Sequence, residues 1–203
     1  MKILFLTNNK ISYELFYWLR NIKDQDVIML QEDINIHKLK EIEPDLIISY
    51  NYKYIIKKDI IDYMKKRIIN LHISLLPWNR GASPNLWSFL EDTRKGVTIH
   101  LIDEGLDTGK ILLQKEIIFD ESKETLKSSY DKLHKEIVKL FKENWKDIKN
   151  DRIVPKPQKG VGTKHFVNDF KNIKSLITSW DINILKLKNL YKNFKGDLND
   201  KRI

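Results

Sequence analysis

The chain has 203 residues, of which 41% are hydrophobic and 32% charged, enough apolar content for one folded domain with its own core and too much for a disordered chain. It holds no cysteine, which excludes disulfides, thiolate catalysis and cysteine-ligated zinc. Lysine and arginine number 37 against 28 aspartates and glutamates, a net charge of +9 that attracts anions and fits a Lys-rich solvated surface.

KILFLT (2–7) reads as a buried strand, and ISYELFYWLRNI (11–22) spaces Ile11, Leu15, Phe16, Leu19 and Ile22 as a helix does. The series continues with a strand at 26–30, a helix at 34–42 that stops near Pro44, a strand at 45–51, a helix at 55–64 and a strand at 67–74. Such alternation, with strands apolar on both faces, predicts an α/β fold with a mostly parallel sheet flanked by helices. Met1 leads directly into the first strand without a signal-peptide pattern, and no apolar run reaches the length of a membrane span, so a cytoplasmic location and no membrane partner are expected.

Beyond Pro77 the pattern changes. SPNLWSFLE (83–91) predicts a helix with Ser83 as N-cap and Pro84 in its first turn. KGVTIHLID (95–103) and KILLQKEIIF (110–119) predict strands, the second read either as an ordinary sheet edge or as the seam of a homodimer. From Thr125 to about Lys149 a long helix carries Leu126, Tyr130, Leu133, Ile137, Leu140, Phe141, Trp145 and Ile148 as its apolar stripe. A turn-rich stretch (154–165) and a weakly helical Lys-rich tail follow. The expected organisation is one domain over 1–150 with 151–203 as an extension packed on it.

Side chains alternate along a strand, so Asn70, His72 and Ser74 share one face at a spacing of about 6.6 Å, opposite Ile69, Leu71 and Ile73. Two polar residues at the carboxyl end of a parallel strand stand where open sheets bind ligands. Asp107 follows in DEGLDTGKIL, flanked by Gly105 and Gly109, and spacing does not separate it from Asp103 and Glu104. Together these residues suit acyl transfer to an amine. His37 and His134 lie in charged helical segments and read as solvated, and His100 reads as a core histidine. No His, Asp and Glu set has metal-site spacing, so no metal is expected. TNNKIS, after the first strand, is not a dinucleotide fingerprint. SLLPWNRGASPN offers Trp78 for stacking, Arg80 for a phosphate or carboxylate, and Asn79 and Asn85 for hydrogen bonds.

The ordered set N-L-H-x-S-L-L-P-x-x-R-G-x-x-P, G-V-T-x-H and G-x-D-T-G resembles the folate-dependent formyltransferases over residues 1–165, most closely over 68–114. LPWNRGASPNLWSFLEDTRKGVTIH and GVGTKHFVNDF (160–170) resemble the nucleotide-sugar N-formyltransferase branch. The resemblance implies a Rossmann-like formyltransferase fold with a long C-terminal helix and a short extension, and N10-formyltetrahydrofolate as formyl donor. It maps the family's catalytic residues onto Asn70, His72 and Asp107. It places the pterin near Tyr50, Asn51 and Tyr52 and near Ile102, Asp103 and Glu104. It assigns the nucleotide sugar to Trp78, Asn79, Arg80, Gly81, Pro84, Asn85, Lys164 and His165. The acceptor would be the amine of a nucleotide-linked amino sugar such as a dTDP-amino-dideoxyhexose, in surface-polysaccharide (O-antigen) synthesis. His72 would stabilise the charge on the formyl oxygen or relay a proton, Asn70 would donate to the same oxygen, and Asp107 would orient His72. The glycinamide ribonucleotide branch has a Gly-rich loop where this chain reads TNNKIS, and the tRNA branch carries a further C-terminal domain for which 203 residues would be too few. The competing readings are another small-amine formyltransferase, a formyltransferase-like hydrolase, or a catalytically idle RNA-binding homologue; the three retained residues speak against the last, and no nucleic-acid partner is expected.

Overall fold

A computed structural model describes residues 1–65 and 67–200, with side chains described through residue 196. Contacts group the chain into two interleaved units: Met1–His72 with Thr98–Gln114 and Ile137–Lys159, and Ile73–Val97 with Lys115–Glu136 and Gly160–Ile203.

The first unit is built on strands β1 (Lys2–Leu6), β2 (Asp26–Leu30), β3 (Leu46–Ser49) and β4 (Ile68–His72), with helices α1 (Tyr13–Arg20), α2 (Ile36–Ile42) and α3 (Lys58–Met64) in the connections. Strands β6 (Gly96–Leu101) and β7 (Ile111–Glu116) complete the sheet, in the order β2-β1-β3-β4-β6-β7. The first four strands are parallel, and β6 returns antiparallel beside β4. The α/β, mostly parallel expectation is met, and β7 lies at the edge of the sheet, the position that both of its readings require.

Both faces of the central strands are covered, as their uninterrupted apolar runs demand. Leu4, Leu6, Ile47 and Ile68 pack with Leu39 of α2 and Ile60 and Met64 of α3. Ile3 and Phe5 alternate to the other face, where Phe5 meets Phe16 of α1 at 5.8 Å between ring centroids. The later turns of α5 (Leu126–Lys149) add Phe141 and Trp145, and Phe141 meets Trp18 edge-on. Each of these large side chains contributes roughly 1.5–3 kcal/mol by leaving water.

The second unit joins the two-residue strand β5 (Arg80–Gly81) in parallel to β8 (Lys164–His165). Helices α4 (Pro84–Leu90), α6 (Val167–Ile173) and α7 (Ile184–Asp200) enclose a core of Leu86, Trp87, Phe89, Leu126, Ile173, Ile184 and Leu187. Ser83 departs from the expectation: it takes the left-handed conformation (φ 54°) and its side chain makes no capping bond, so Pro84 alone fits the helix start.

His134 also departs. It is buried, with its ring 4.2 Å from that of Tyr130 one turn earlier. The inward face of α5 is wider than the stripe read from sequence and takes in Ser129, His134 and Val138. Burial pushes the His134 imidazole down to about 4, against a small opposing pull from the Asp131 carboxylate. The unfolded chain therefore takes up a proton near pH 6.5 that the folded chain refuses until about pH 4. Stability is full above pH 6.5 and falls as pH drops toward 4, by up to about 3 kcal/mol. Thermal melts should show that acid-side loss, and His134→Leu should flatten it; an unchanged slope in the variant would locate the loss elsewhere.

Candidate active site

Antiparallel pairing places Asn70 opposite His100 and His72 opposite Thr98, so these four share one face of the sheet. Ile69, Leu71, Ile99 and Leu101 fill the opposite face. Asp107 reaches that polar stripe from the loop between β6 and β7. Its carboxylate lies 3.6 Å from Nδ1 of His72, 3.4 Å from Nε2 of His100 and 3.2 Å from the Asn70 amide nitrogen, which donates to it. The three residues singled out from sequence are thus brought together, and Asp103 and Glu104 are not part of the cluster.

Asp107 is held in the left-handed conformation (φ 51°), a strained setting that the surrounding loop enforces. Asp103 accepts from the Gly105 N–H and the Thr108 hydroxyl, closing the loop from within. The Gln158 amide donates to the carbonyls of both Asp107 and Gly109, at 2.7 and 2.9 Å. A Cβ at Gly109 would stand 1.7 Å from the Leu101 carbonyl oxygen, so this glycine serves the turn. Glu104 lies outside and pairs with Lys58 at 2.6 Å.

His100 belongs to the cluster, although the sequence alone reads it as a core histidine. It is 1% exposed, and its Nδ1 lies 2.8 Å from the Leu101 carbonyl oxygen, which can only accept. Nδ1 donates to that carbonyl, while Nε2 lies 3.3 Å from the Asn70 amide nitrogen and 3.4 Å from the Asp107 carboxylate. Its alternation with Ile99 and Leu101 was legible; its meeting with Asn70 depends on the β4–β6 register.

The residues expected near a pterin divide by backbone and side chain. Tyr50 is fully buried, and its carbonyl accepts from the Ser12 hydroxyl. The Asn51 amide also reaches Ser12, and its carbonyl accepts from the Asn8 N–H. The Tyr52 hydroxyl donates to the Glu32 carbonyl and accepts from the Ile34 N–H; burial pushes it up to about 12. Ile102 donates its N–H to the Ile68 carbonyl. Tyr50, Asn51 and Tyr52 thus follow the carboxyl end of β3, beside the point where the strand order reverses direction, whereas Ile102 lies beside Ile68 at the amino end of β4.

In the second unit, two residues expected to contact an acceptor prove internal. Asn79 is fully buried and left-handed (φ 56°); its amide donates to Glu91 and Thr163, and its carbonyl accepts from Thr93. Asn85 is buried and donates to the Leu126 carbonyl and the Ser129 hydroxyl. His165 is stacked on Trp87 at 4.1 Å and faces Glu91 at 3.2 Å. Trp78, Arg80, Gly81 and Pro84 are half-buried and Lys164 is exposed, so these five keep surface for a ligand. Gly162 holds the adjoining chain close: a Cβ there would be 2.0 Å from the Pro77 carbonyl. No group of three His, Asp or Glu residues among those described could hold a metal ion, and no described helix is long and apolar enough to cross a membrane.

A family model described as formyl transferase matches residues 22–144. A methionyl-tRNA formyltransferase of Thermodesulfovibrio yellowstonii is 42% identical over 134 residues, which are 64% of this chain and 42% of that enzyme. The chain thus spans about half or less of the length of the curated relatives it matches. The formyltransferase PseJ of Anoxybacillus kamchatkensis, solved with UDP-4,6-dideoxy-4-formamido-L-AltNAc and tetrahydrofolate, is 43% identical with a TM-score of 0.83, over 92% of this chain and 97% of that one. A 4-N formyltransferase of Francisella tularensis is 25% identical with a TM-score of 0.75, over 85% and 78%.

The buried polar loop residues carry a stability prediction. Asn79→Ala removes one amide that satisfies three neighbours and should cost about 2 kcal/mol in the protein without any ligand. Denaturant melts measure it; a loss below about 0.5 kcal/mol would return Asn79 to the ligand-contact set.

Proposed function

The chain belongs to the formyl transferase family, and on that premise we propose that it transfers a formyl group from N10-formyltetrahydrofolate to the amine of a nucleotide-linked amino sugar. The observation that carries the chemistry is the meeting of Asn70, His72 and Asp107 on one polar stripe at the sheet's carboxyl edge. The acceptor class draws its support from the 43% identity to PseJ over nearly the whole of both chains. That likeness favours uridine diphosphate over thymidine diphosphate as the carrier.

The residues present suit a reduced folate. The loop 102–109 displays backbone groups on a frame fixed by Asp103 and Gln158, and Leu106 offers partly exposed apolar surface to a flat ring. When bound, N10-formyltetrahydrofolate supplies an electrophilic formyl carbon on a nitrogen that can leave. The bond between the acceptor nitrogen and that carbon forms as the bond to N10 breaks, and one proton moves from the amine to N10. His72 is placed to handle that proton, with its Nδ1 turned to the Asp107 carboxylate. In its charged form His72 donates to the formyl oxygen as negative charge develops there. Asp107 orients the ring and favours the charged form. Trp78, Arg80, Gly81, Pro84 and Lys164 take the sugar and its diphosphate, Arg80 and Lys164 by charge.

His72→Ala should fold normally and lose turnover by roughly 10²–10³-fold. Near-normal formylation by that variant, with a verified product, would remove His72 from the mechanism. A thermal-shift series with UDP-, dTDP- and GDP-linked amino sugars and a stable folate analogue should show a selective rise for the UDP sugar. Formate release that is indifferent to every amine would instead identify a hydrolase.

A further inference from the structure

We propose that Glu91 is a positioning residue of the acceptor site: its carboxylate ties β5 to β8, so that Arg80 and Lys164 stand side by side to receive a diphosphate. The inference rests on the proposed function, in which those two cations meet a nucleotide-linked sugar, and it adds a residue that acts through others.

β5 and β8 pair over only two residues each, Arg80 with Lys164 and Gly81 with His165. A two-stranded ladder so short is marginal by itself. Its register also sets a guanidinium beside an ammonium, and like charges side by side across a sheet repel. An anion bridging the pair removes that cost; until one binds, other contacts must hold the strands. Glu91 supplies two of them. One carboxylate oxygen accepts from the amide of Asn79, the residue before β5, at 3.2 Å. The other lies 3.2 Å from Nε2 of His165, in β8. Side chains alternate along a strand, so His165 turns away from the face that carries Lys164. His165 is buried and stacked on Trp87, while Lys164 is exposed. Asn79 extends the tie by donating its backbone N–H and its amide to the Thr163 hydroxyl, beside β8. Glu91 stands at the C-terminal end of α4, where the helix dipole disfavours a carboxylate. Its placement serves the two strands rather than the helix.

Calorimetric titration with UDP, in the absence of folate and amine, gives the first readout. Glu91→Ala should weaken UDP binding about tenfold, because the two cations are no longer pre-organised, and leave the affinity of a stable folate analogue unchanged. Glu91→Gln, whose amide can accept from Asn79 and donate to His165, should recover most of the loss. Partial unfolding alone would lower the number of UDP sites per chain and leave their affinity intact, and that result overturns the proposal. A double-mutant cycle gives the second readout. In a Lys164→Ala background, Glu91→Ala should change UDP affinity by about twofold at most, since a cation it positions is gone. Losses that add in full would give Glu91 another role and overturn the proposal. So would a wild-type protein that binds uridine as tightly as UDP, or that binds neither. In steady-state kinetics with a UDP-linked amino sugar, Glu91→Ala should raise KM for the sugar and change kcat little. Should the wild-type protein bind UDP but formylate no amine, the formyl-transfer reading fails, while the titrations still decide the role of Glu91.

Discussion

The arrangement turns on one carboxylate held where a carboxylate is costly. Asp107 lies mostly buried beside two imidazoles and an amide, on a left-handed backbone. Removed from water, its charge needs donors, and the loop must pin it where those donors converge. That explains features that otherwise look unrelated. Asp103 closes the loop, Gln158 clamps two of its carbonyls, and Gly109 lets it pass against Leu101. Without those fastenings the residue would relax to an ordinary turn conformation and leave the stripe.

The donors are placed by the sheet. A parallel β4 alone would present Asn70 and His72 but nothing opposite them. The antiparallel return of β6 supplies His100 and Thr98 in register on the same face, and Gln114 extends the row by donating to the Thr98 hydroxyl. A slip of one residue would turn His100 to the apolar face and bring Ile99 or Leu101 against Asn70. Ile69, Leu71, Ile99 and Leu101 on the other face make such a slip costly, so the core fixes the register on which the polar face depends.

Much of this was legible in the residues. Unbroken apolar strands and helical spacings named the elements of the first unit in order, and strand alternation paired Asn70 with His72. Other parts depended on partners far along the chain. His100 looks like any histidine on a core strand until β6 is laid against β4. Asp107 could not be told from Asp103 or Glu104 by spacing, because loop closure and carboxylate chemistry use the same residue type. Asn79 and Asn85 are hydrogen-bonded inside the second unit, a placement that the sequence does not reveal because a loop asparagine serves equally to meet a ligand or to satisfy buried groups. Ser83 looked like a cap by type, but its backbone is left-handed and its hydroxyl cannot do that work.

The polar cluster around Asp107 and the exposed residues of the second unit lie in different parts of the sequence. Asn70, His72, His100 and Asp107 all fall within 70–107, inside the stretch that the family model matches. A methionyl-tRNA formyltransferase and the formyltransferase PseJ match this chain at 42% and 43% identity, so identity alone does not discriminate between acceptors. Discrimination must reside in segments that meet the acceptor alone. Within the second unit, Asn79 and Gly162 fix the backbone beside Arg80 and Lys164 through contacts of their own. Internal residues thus set the geometry of that surface while the residues they support remain open to ligand. Under the proposed function, acceptor choice can therefore change at Trp78, Arg80 or Lys164 while the Asp107 cluster keeps contacts of its own.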